Sequence, residues 1–452
     1  VESRKHAWRE QFFATVMDKK YRASVEKLME ELPFTLTGSQ QDAVSEILED
    51  MEKEHPMNKL LEGDVGTGKT IVAVIAGYYA ILNGLNVLYM APTEVLARQH
   101  YETFKGFLGA LDVEIRLLTG ASKGKPKKDP CITIGTHALL FAKEQPQNVG
   151  LIVIDEQHRF GVEQRTKILE AGDSQKKPHF LSMTATPIPR TLALTLYGDL
   201  SISALKTPPN VGKKITTKVV PERGRQKTYQ WIKDRITKHN DKAFVVCPLI
   251  EESSSQMLEN VKAAEKEFKE LKEGIFSDVE VALLHGRVKP AEKQKILEEF
   301  RNGKTKVLVS TPVIEVGVDI PEATIMVIES GERYGLASLH QLRGRVGRGD
   351  KEGFCLVMGS NISRNSYTRL KHLENTANGL ELAEIDLKMR GQGDIYGTMQ
   401  SGFAKFKVAD LSDMILLAKV KEAAQKYFRR LNEFPLLRAK VESRKGIYVG
   451  NN

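Results

Sequence analysis

Cysteine is scarce in this 452-residue chain: Cys131, Cys247 and Cys355 are odd in number and far apart. They exclude a disulfide framework and offer no zinc-ligand spacing, so the expectation is three buried thiols in strands of a protein from a reducing compartment. Long apolar runs are also missing. The longest, Ile71–Leu82, falls well short of the about 20 residues that a membrane-crossing helix needs. No charged-then-apolar leader with a small-residue cleavage site opens the chain. The first residue is Val1, not a methionine, which points to a piece of a longer protein. No short-period repeat is present; the pentapeptide Val-Glu-Ser-Arg-Lys recurs at Val1 and Val441 with no physical explanation. A large excess of one charge is absent too. Lys plus Arg is 67 against 58 acids, a net +9 that permits a nucleic-acid partner without showing one. These basic residues are scattered, and no amphipathic basic helix suggests a membrane surface.

What remains is ordinary globular composition, 41% hydrophobic and 28% charged. The length allows roughly two to four domains at about 100–200 residues each. From Glu2 to Leu32 the sequence is polar and reads as helical. Apolar β-type runs then alternate with helical stretches. The strand expectations are Lys59–Leu61, Asn86–Met90, Glu114–Leu118, Cys131–Ile134, Leu151–Ile154 and Phe180–Thr184. A second set is Thr217–Val220, Ala243–Pro248, Val279–Leu284, Lys306–Ser310, Thr324–Ile328 and Phe354–Met358. Fully apolar runs such as Leu151–Ile154 suit strands covered on both faces, and strands alternating with helices read as βαβ units. Between the sets, Lys206–Lys214 holds two prolines, Asn210, Gly212 and three lysines, and reads as a linker. After Ser360 the pattern turns helical, with a Gly-rich insert from Arg390 to Gly402.

Gly63-Asp64-Val65-Gly66-Thr67-Gly68-Lys69-Thr70 is a complete phosphate-loop sequence. It follows the apolar Leu60–Leu61 and precedes a helical run, the context that such a loop requires. Gly63, Gly66 and Gly68 let the backbone curl until several N–H groups face one phosphate, and the next helix adds its positive end. Lys69 reaches the β- and γ-phosphates in such loops, and the Thr70 hydroxyl binds magnesium.

Downstream, Leu151–Ile154 ends in Asp155-Glu156-Gln157-His158. Two carboxylates closing a buried strand need a reason, because unpaired buried charge is costly. With a phosphate loop upstream, magnesium supplies it. Asp155 is expected to hold the ion, and Glu156, beside the metal site, is the general-base candidate. Gln157 and His158 are placed to sense the γ-phosphate, with a structural role as the other reading of His158. In the second set, Gln341–Arg348 puts Arg345 and Arg348 three apart on one face, as an arginine finger or as a solvated basic face. Asp319, after another apolar strand, is a ribose or arginine partner or else a turn residue.

In order along the chain, Gly63–Thr70, Pro92-Thr93-Glu94, Thr119-Gly120, Gly135-Thr136-His137, Asp155–His158, Thr184-Ala185-Thr186, Leu284-His285-Gly286, Thr311–Asp319 and Gln341–Arg348 resemble the motif series of superfamily 2 helicases and translocases. Within them the chain is most similar to the bacterial RecG helicase family. Four stretches carry the likeness: Asp155–Val162, Met183–Thr191, Glu332-Arg333-Tyr334-Gly335-Leu336 and His340–Gly349. The family's element that couples ATP turnover to duplex translocation resembles Arg369–Gly402, with Arg369, Arg390 and Gln400 as its key residues. Met399 stands where the family commonly has a basic residue, and Leu380 where it commonly has Phe.

The resemblance implies an α/β fold: two RecA-like parallel-sheet helicase lobes in tandem plus a C-terminal helical hairpin and translocation loop. Residues 1–33 would be a helical linker from an absent wedge domain. Residues 34–208 would be the ATP-binding lobe, 209–360 the second lobe, and 361–452 the hairpin, coupling loop and tail. Phe34, Thr37 and Gln40 match the family's adenine-recognition segment; Phe34 is alternatively a staple against the next helix. ATP and Mg2+ are the implied cofactors. The implied partners are duplex and branched DNA, forks and Holliday junctions, with single-strand-binding protein as a further one. The candidate DNA residues are Thr93, Arg98, Thr119, Gly120, Thr136, His137 and Arg287. The implied activity is an ATP-dependent DNA helicase or double-strand translocase in fork regression and branch migration, cytoplasmic at the bacterial nucleoid. Lobe closure about 206–214 would bring Arg345 and Arg348 to ATP. Two other readings stand beside it: the motor of a transcription–repair coupling factor, and a non-catalytic ATP-dependent DNA-binding scaffold.

Overall fold

The computed structural model describes residues 12–119, 130–136, 139, 147–156, 176–185, 200–206, 215–248, 256–312, 323–347, 351–360, 363–398, 414–428 and 430–448. The linker residues 207–214 lie outside them. The chain divides into two compact units: residues 1–63, 67–207 and 387–452, and residues 64–66 and 208–386.

The first unit is built on seven parallel strands: β1 (Asn58–Gly63), β2 (Asn86–Met90), β3 (Glu114–Leu118), β4 (Cys131–Gly135), β5 (Val149–Asp155), β6 (His179–Thr184) and β7 (Ser201–Leu205). Their order across the sheet is β3-β4-β2-β5-β6-β1-β7. Central strands such as β2 and β6 are buried along their whole length, because helices cover both faces. The helices described between residues 22 and 108 are α1 (Arg22–Glu30), α2 (Gly38–Met51), α3 (Lys69–Leu82) and α4 (Glu94–Leu108). A capping box starts α2: the Thr37 hydroxyl accepts from the Gln40 N–H, and the Gln40 side chain accepts from the Thr37 N–H. The Thr93 hydroxyl caps α4 through the Leu96 N–H at 3.3 Å. Ten residues of α3, Ile71–Ala80, are buried in sequence, so it is a core helix and not an amphipathic surface one.

The second unit has six parallel strands: β8 (Ile215–Pro221), β9 (Ala243–Val246), β10 (Val281–Leu284), β11 (Val307–Ser310), β12 (Ile325–Ile328) and β13 (Gly353–Gly359), in the order β10-β11-β9-β12-β13-β8. Side-chain alternation splits its core into two layers. Phe244 and Val246 of β9 face one, with Leu339, Leu342 and Leu370; Ala243 and Val245 face the other, with Tyr229, Ile232 and Phe276. The helices are α5 (Arg225–His239), α6 (Gln256–Glu273), α7 (Pro290–Arg301) and α8 (Leu336–Arg343). Arg225 opens α5 between Glu267 of α6 and Glu329 at the end of β12. Further along the chain, α9 (Arg364–Asn375) is in the second unit, α10 (Gly379–Thr398) passes from the second unit into the first at residue 387, and α11 (Met414–Phe428) and α12 (Pro435–Tyr448) are in the first. Among the described residues, no helix is long and apolar enough to cross a membrane.

Three expectations need correction. The N-terminal stretch is not helical throughout. Residues 12–18 are non-helical: Phe13 bridges to Lys176, and the N–H groups of Ala14 and Met17 donate to the carbonyls of Glu54 and Met51, before a 3-10 turn over Lys19–Tyr21 leads into α1. Neighbouring Phe12, Phe13, Thr15 and Val16 favour the non-helical conformation, and burial of Ala14 and Met17 repays it. The Gly-rich stretch from Arg390 is helical as far as Thr398, where each glycine costs only about 1 kcal/mol. Finally, β7 has no counterpart in the sequence reading. It is an edge strand, Ser-Ile-Ser-Ala-Leu, with two exposed positions and no apolar run to mark it.

Candidate functional site

All the motifs of the first unit gather at the carboxyl ends of its strands, where open α/β sheets bind ligands. The phosphate loop leaves β1, Thr93 follows β2, Thr136 follows β4, Asp155 ends β5, and Ala185 follows β6. β6 lies between β1 and β5, so the loop and Asp155 leave the sheet two strands apart, about 10 Å.

In the loop, Gly66 and Gly68 have φ of 83° and 80°, the left-handed region that glycine enters without steric cost. A Cβ at Gly63 would meet the Thr67 hydroxyl at 2.5 Å, and one at Gly68 would collide with the Gln40 amide. Backbone therefore fills the cradle where side chains cannot. Lys69 and Thr70 form the first turn of α3, and Lys69 Nζ donates to the Gly63 carbonyl at 2.6 Å. Gln40 is buried. Its amide accepts from the Thr37 N–H at 2.8 Å and donates to the Thr67 carbonyl at 2.9 Å, which ties the segment before α2 to the loop. Phe34 is 43% exposed and meets Phe107 of α4 edge-on, ring centroids 6.0 Å apart.

At the end of β5, Asp155 is buried, and Glu156 turns outward with φ of 53°. That conformation costs a non-glycine residue on the order of 1 kcal/mol. It brings the Glu156 carboxylate 3.3 Å from the Ala185 N–H and 3.5 Å from the Thr184 hydroxyl, at the end of β6. Asp155 faces His100 of α4, Oδ2 to Nε2 at 3.0 Å. Tyr89 lies beside that pair, and burial, with the charges of Asp155 and Glu156, holds its phenol well above its usual pKa. The hard oxygens of Thr70 and Asp155 suit magnesium. No cluster of three or more acidic, His or Cys ligands occurs among the described residues, so a metal here would need oxygens from a phosphate chain or water.

The other expected residues are distributed unevenly. Arg98 on α4 and Arg287 in the turn after β10 are exposed. Thr119 and Thr136 are 4% and 5% exposed, so this structure does not bring their hydroxyls to the surface. Arg345 follows α8, its N–H donating to the Leu342 carbonyl at 3.0 Å. Gly120, His137, Gln157, His158, Asp319, Arg348 and Gln400 lie outside the described residues, as does the Arg390 side chain.

Arg369 is turned inward. Its guanidinium donates to the carbonyls of Glu332 and Tyr334, both at 2.7 Å, and sits 3.5 Å from Asp386 of α10. Asp386 in turn accepts from the Leu336 N–H at 3.3 Å, at the start of α8. Sequence reasoning missed Arg343. Buried at the end of α8, it donates to the carbonyls of Leu373 (2.8 Å), Thr376 (2.9 Å) and Ala377 (3.0 Å), and its Nη2 lies 2.5 Å from His340 Nδ1. Burial lowers its pKa. The α9–α10 pair is thus fastened to both ends of α8.

Three family models match in succession: DEAD/DEAH box helicase over residues 37–195, Helicase conserved C-terminal domain over 227–350, and ATP-dependent DNA helicase RecG, domain 3, C-terminal, over 376–436. A Synechocystis protein, ATP-dependent DNA helicase RecG, is 45% identical over 412 residues, which is 89% of this chain and 49% of that protein. The chain belongs to the RecG family. The Escherichia coli K12 RecG helicase is 43% identical, with 89% of this chain and 60% of that protein covered. A solved RecG bound to a three-way DNA junction superposes with a TM-score of 0.74 at 37% identity, covering 92% of this chain and 54% of the other. The chain therefore spans about half the length of the RecG proteins it matches. The RecG-specific match begins at residue 376, inside the carbonyl set that Arg343 grips, so the structure joins that domain to the helix running into Arg345.

Proposed function

We propose that this chain is the ATP-driven motor of a RecG-type helicase, acting on duplex and branched DNA. The observation that carries it is the shared sheet edge: a phosphate loop shaped by Gly66 and Gly68, the buried Asp155, and Glu156 turned outward against the end of β6. In this reading the exposed face of Phe34 stacks on adenine, and Gln40 relates the base to the loop through Thr67. Lys69 exchanges the Gly63 carbonyl for phosphate oxygens. Asp155 and the Thr70 hydroxyl hold Mg2+, which when bound neutralises phosphate charge. Glu156 accepts the proton of the attacking water. Asp319 serves the ribose, and Arg345 and Arg348 neutralise the transferring phosphoryl group. Residues 34–208 and 209–360 are the two motor lobes, 1–33 leads in from a wedge, and 361–452 couples turnover to DNA through Arg369, Arg390 and Gln400. Thr93, Arg98, Gly120, His137 and Arg287 line the DNA path, with the buried Thr119 and Thr136 shaping the ends of β3 and β4 behind it. The cellular tasks that fit are fork regression and Holliday junction migration, in the cytoplasm at the nucleoid and beside single-strand-binding protein. The test is ATP hydrolysis without DNA, with duplex and with a model fork, alongside Glu156→Gln. DNA stimulation that the substitution abolishes is the expected result; a DNA-independent rate, or an unimpaired variant, refutes the assignment.

A further inference from the structure

His100 matches nothing in the motif series, yet it sits against the residue assigned to the metal. It lies on the inner face of α4 and is 7% exposed; Asp155 is 8% exposed. Their Nε2 to Oδ2 separation is 3.0 Å. A carboxylate only accepts, so the Nε2–H donates to Asp155, and the Tyr89 hydroxyl lies 3.3 Å from both ring nitrogens. The Tyr89 ring packs on the imidazole at 4.7 Å between centroids and on Phe104, one turn further along α4, at 5.2 Å. The imidazole is therefore held in orientation between the Asp155 carboxylate and the Tyr89 ring. The same helix is capped by Thr93 and exposes Arg98, two residues before His100. One rigid element thus carries an exposed cation toward solvent and an imidazole against the Asp155 carboxylate.

We propose that His100 is a positioning residue, which sets the rotation of the Asp155 carboxylate for the divalent cation and carries displacements of α4 to it. The inference rests on the reading of this chain as a DNA-stimulated ATPase, and it adds a path from the DNA-facing helix to the metal. A hydrogen bond to one oxygen fixes the plane of the whole carboxylate, and loss of such a supporting partner lowers metal affinity about 10- to 100-fold.

The experiment uses the 452-residue chain and Mn2+ as probe, with free Mn2+ read by electron paramagnetic resonance in the presence of ADP, so that no turnover is required. His100→Phe keeps the ring volume and loses the donor; His100→Gln keeps an N–H donor. The expected result is Mn2+ affinity about 10- to 100-fold weaker in His100→Phe and largely restored in His100→Gln. Metal-free ADP affinity and the melting temperature should stay close to wild type in both. A second arm compares ATPase rates with and without duplex, where His100→Phe should lose stimulation by more than its fall in basal rate. Wild-type Mn2+ affinity in His100→Phe, or no recovery in His100→Gln, overturns the role of His100 while leaving the ATPase reading intact. Failure of the wild-type chain to bind Mn2+ with ADP overturns both.

Discussion

Removal of the Arg343 guanidinium should loosen the α9–α10 junction before it affects anything else. Three backbone carbonyls, those of Leu373, Thr376 and Ala377, take its N–H groups at 2.8–3.0 Å in a buried setting. These are carbonyls at the end of α9, which a helix leaves without internal partners. A hydrogen bond from a charged donor contributes about 1.5–3 kcal/mol, and three of them set an upper bound near 9. Burial of the cation works against that sum, as its lowered pKa records, and methionine of similar reach fills the space. A net loss of about 3 kcal/mol for Arg343→Met follows, equivalent to roughly a hundredfold change in the local opening equilibrium. Amide hydrogen exchange over residues 373–386 reads it directly. Those amides should exchange about a hundred times faster, while the strands of the first unit keep their protection. Arg343→Lys keeps the charge but not the planar fork, and should fall between. Unchanged protection of 373–386 in Arg343→Met would refute the assignment of these three bonds as the clamp.

Other perturbations have equally definite outcomes. Phe34→Ala should raise the KM for ATP about tenfold with little change in kcat, because base-on-aromatic stacking is worth about 1–3 kcal/mol; an unchanged KM would return Phe34 to a packing role. His179 is buried, accepts from the Met57 N–H and donates to the Thr15 carbonyl, and burial lowers its pKa to about 4. The unfolded chain binds this proton first, so stability is full above about pH 6.5 and is lost as pH falls toward 4, by about 3 kcal/mol in all. His179→Gln should flatten that part of an acid-unfolding curve relative to wild type, and an identical slope would contradict the assignment. Cys131, Cys247 and Cys355 are all buried, and burial pushes Cys355 up to about 12. An aromatic disulfide reagent at pH 8 should therefore find no fast thiol in the native chain and three after denaturation in urea.

The strands were readable because a doubly covered parallel sheet writes itself as unbroken apolar runs. Leu151–Ile154 lies within β5, and Asn86–Met90 coincides with β2. The edge strand β7 was invisible for the opposite reason: with one neighbour and two exposed positions, its sequence has no need of such a run. At the site, residues whose chemistry is local were legible. Gly66, Gly68, Lys69, Asp155 and Glu156 were named from spacing that the chain itself prescribes, and the fold brings them to one edge of the sheet. His100 and Arg343 act through contacts that the sequence does not record: 55 residues part His100 from Asp155, and 30 to 34 part Arg343 from its carbonyls. A histidine on a helix or an arginine in a basic run has an ordinary solvent-facing explanation, and only burial removes it. Arg369 shows the converse. Its motif match named it for the element that couples turnover to translocation without saying what it touches, and the fold places its guanidinium over the carbonyls of Glu332 and Tyr334, just before the helix leading to Arg345. A long-range strut and a ligand-binding cation have the same side chain, and what separates them is whether the fold already supplies acceptors for its donors.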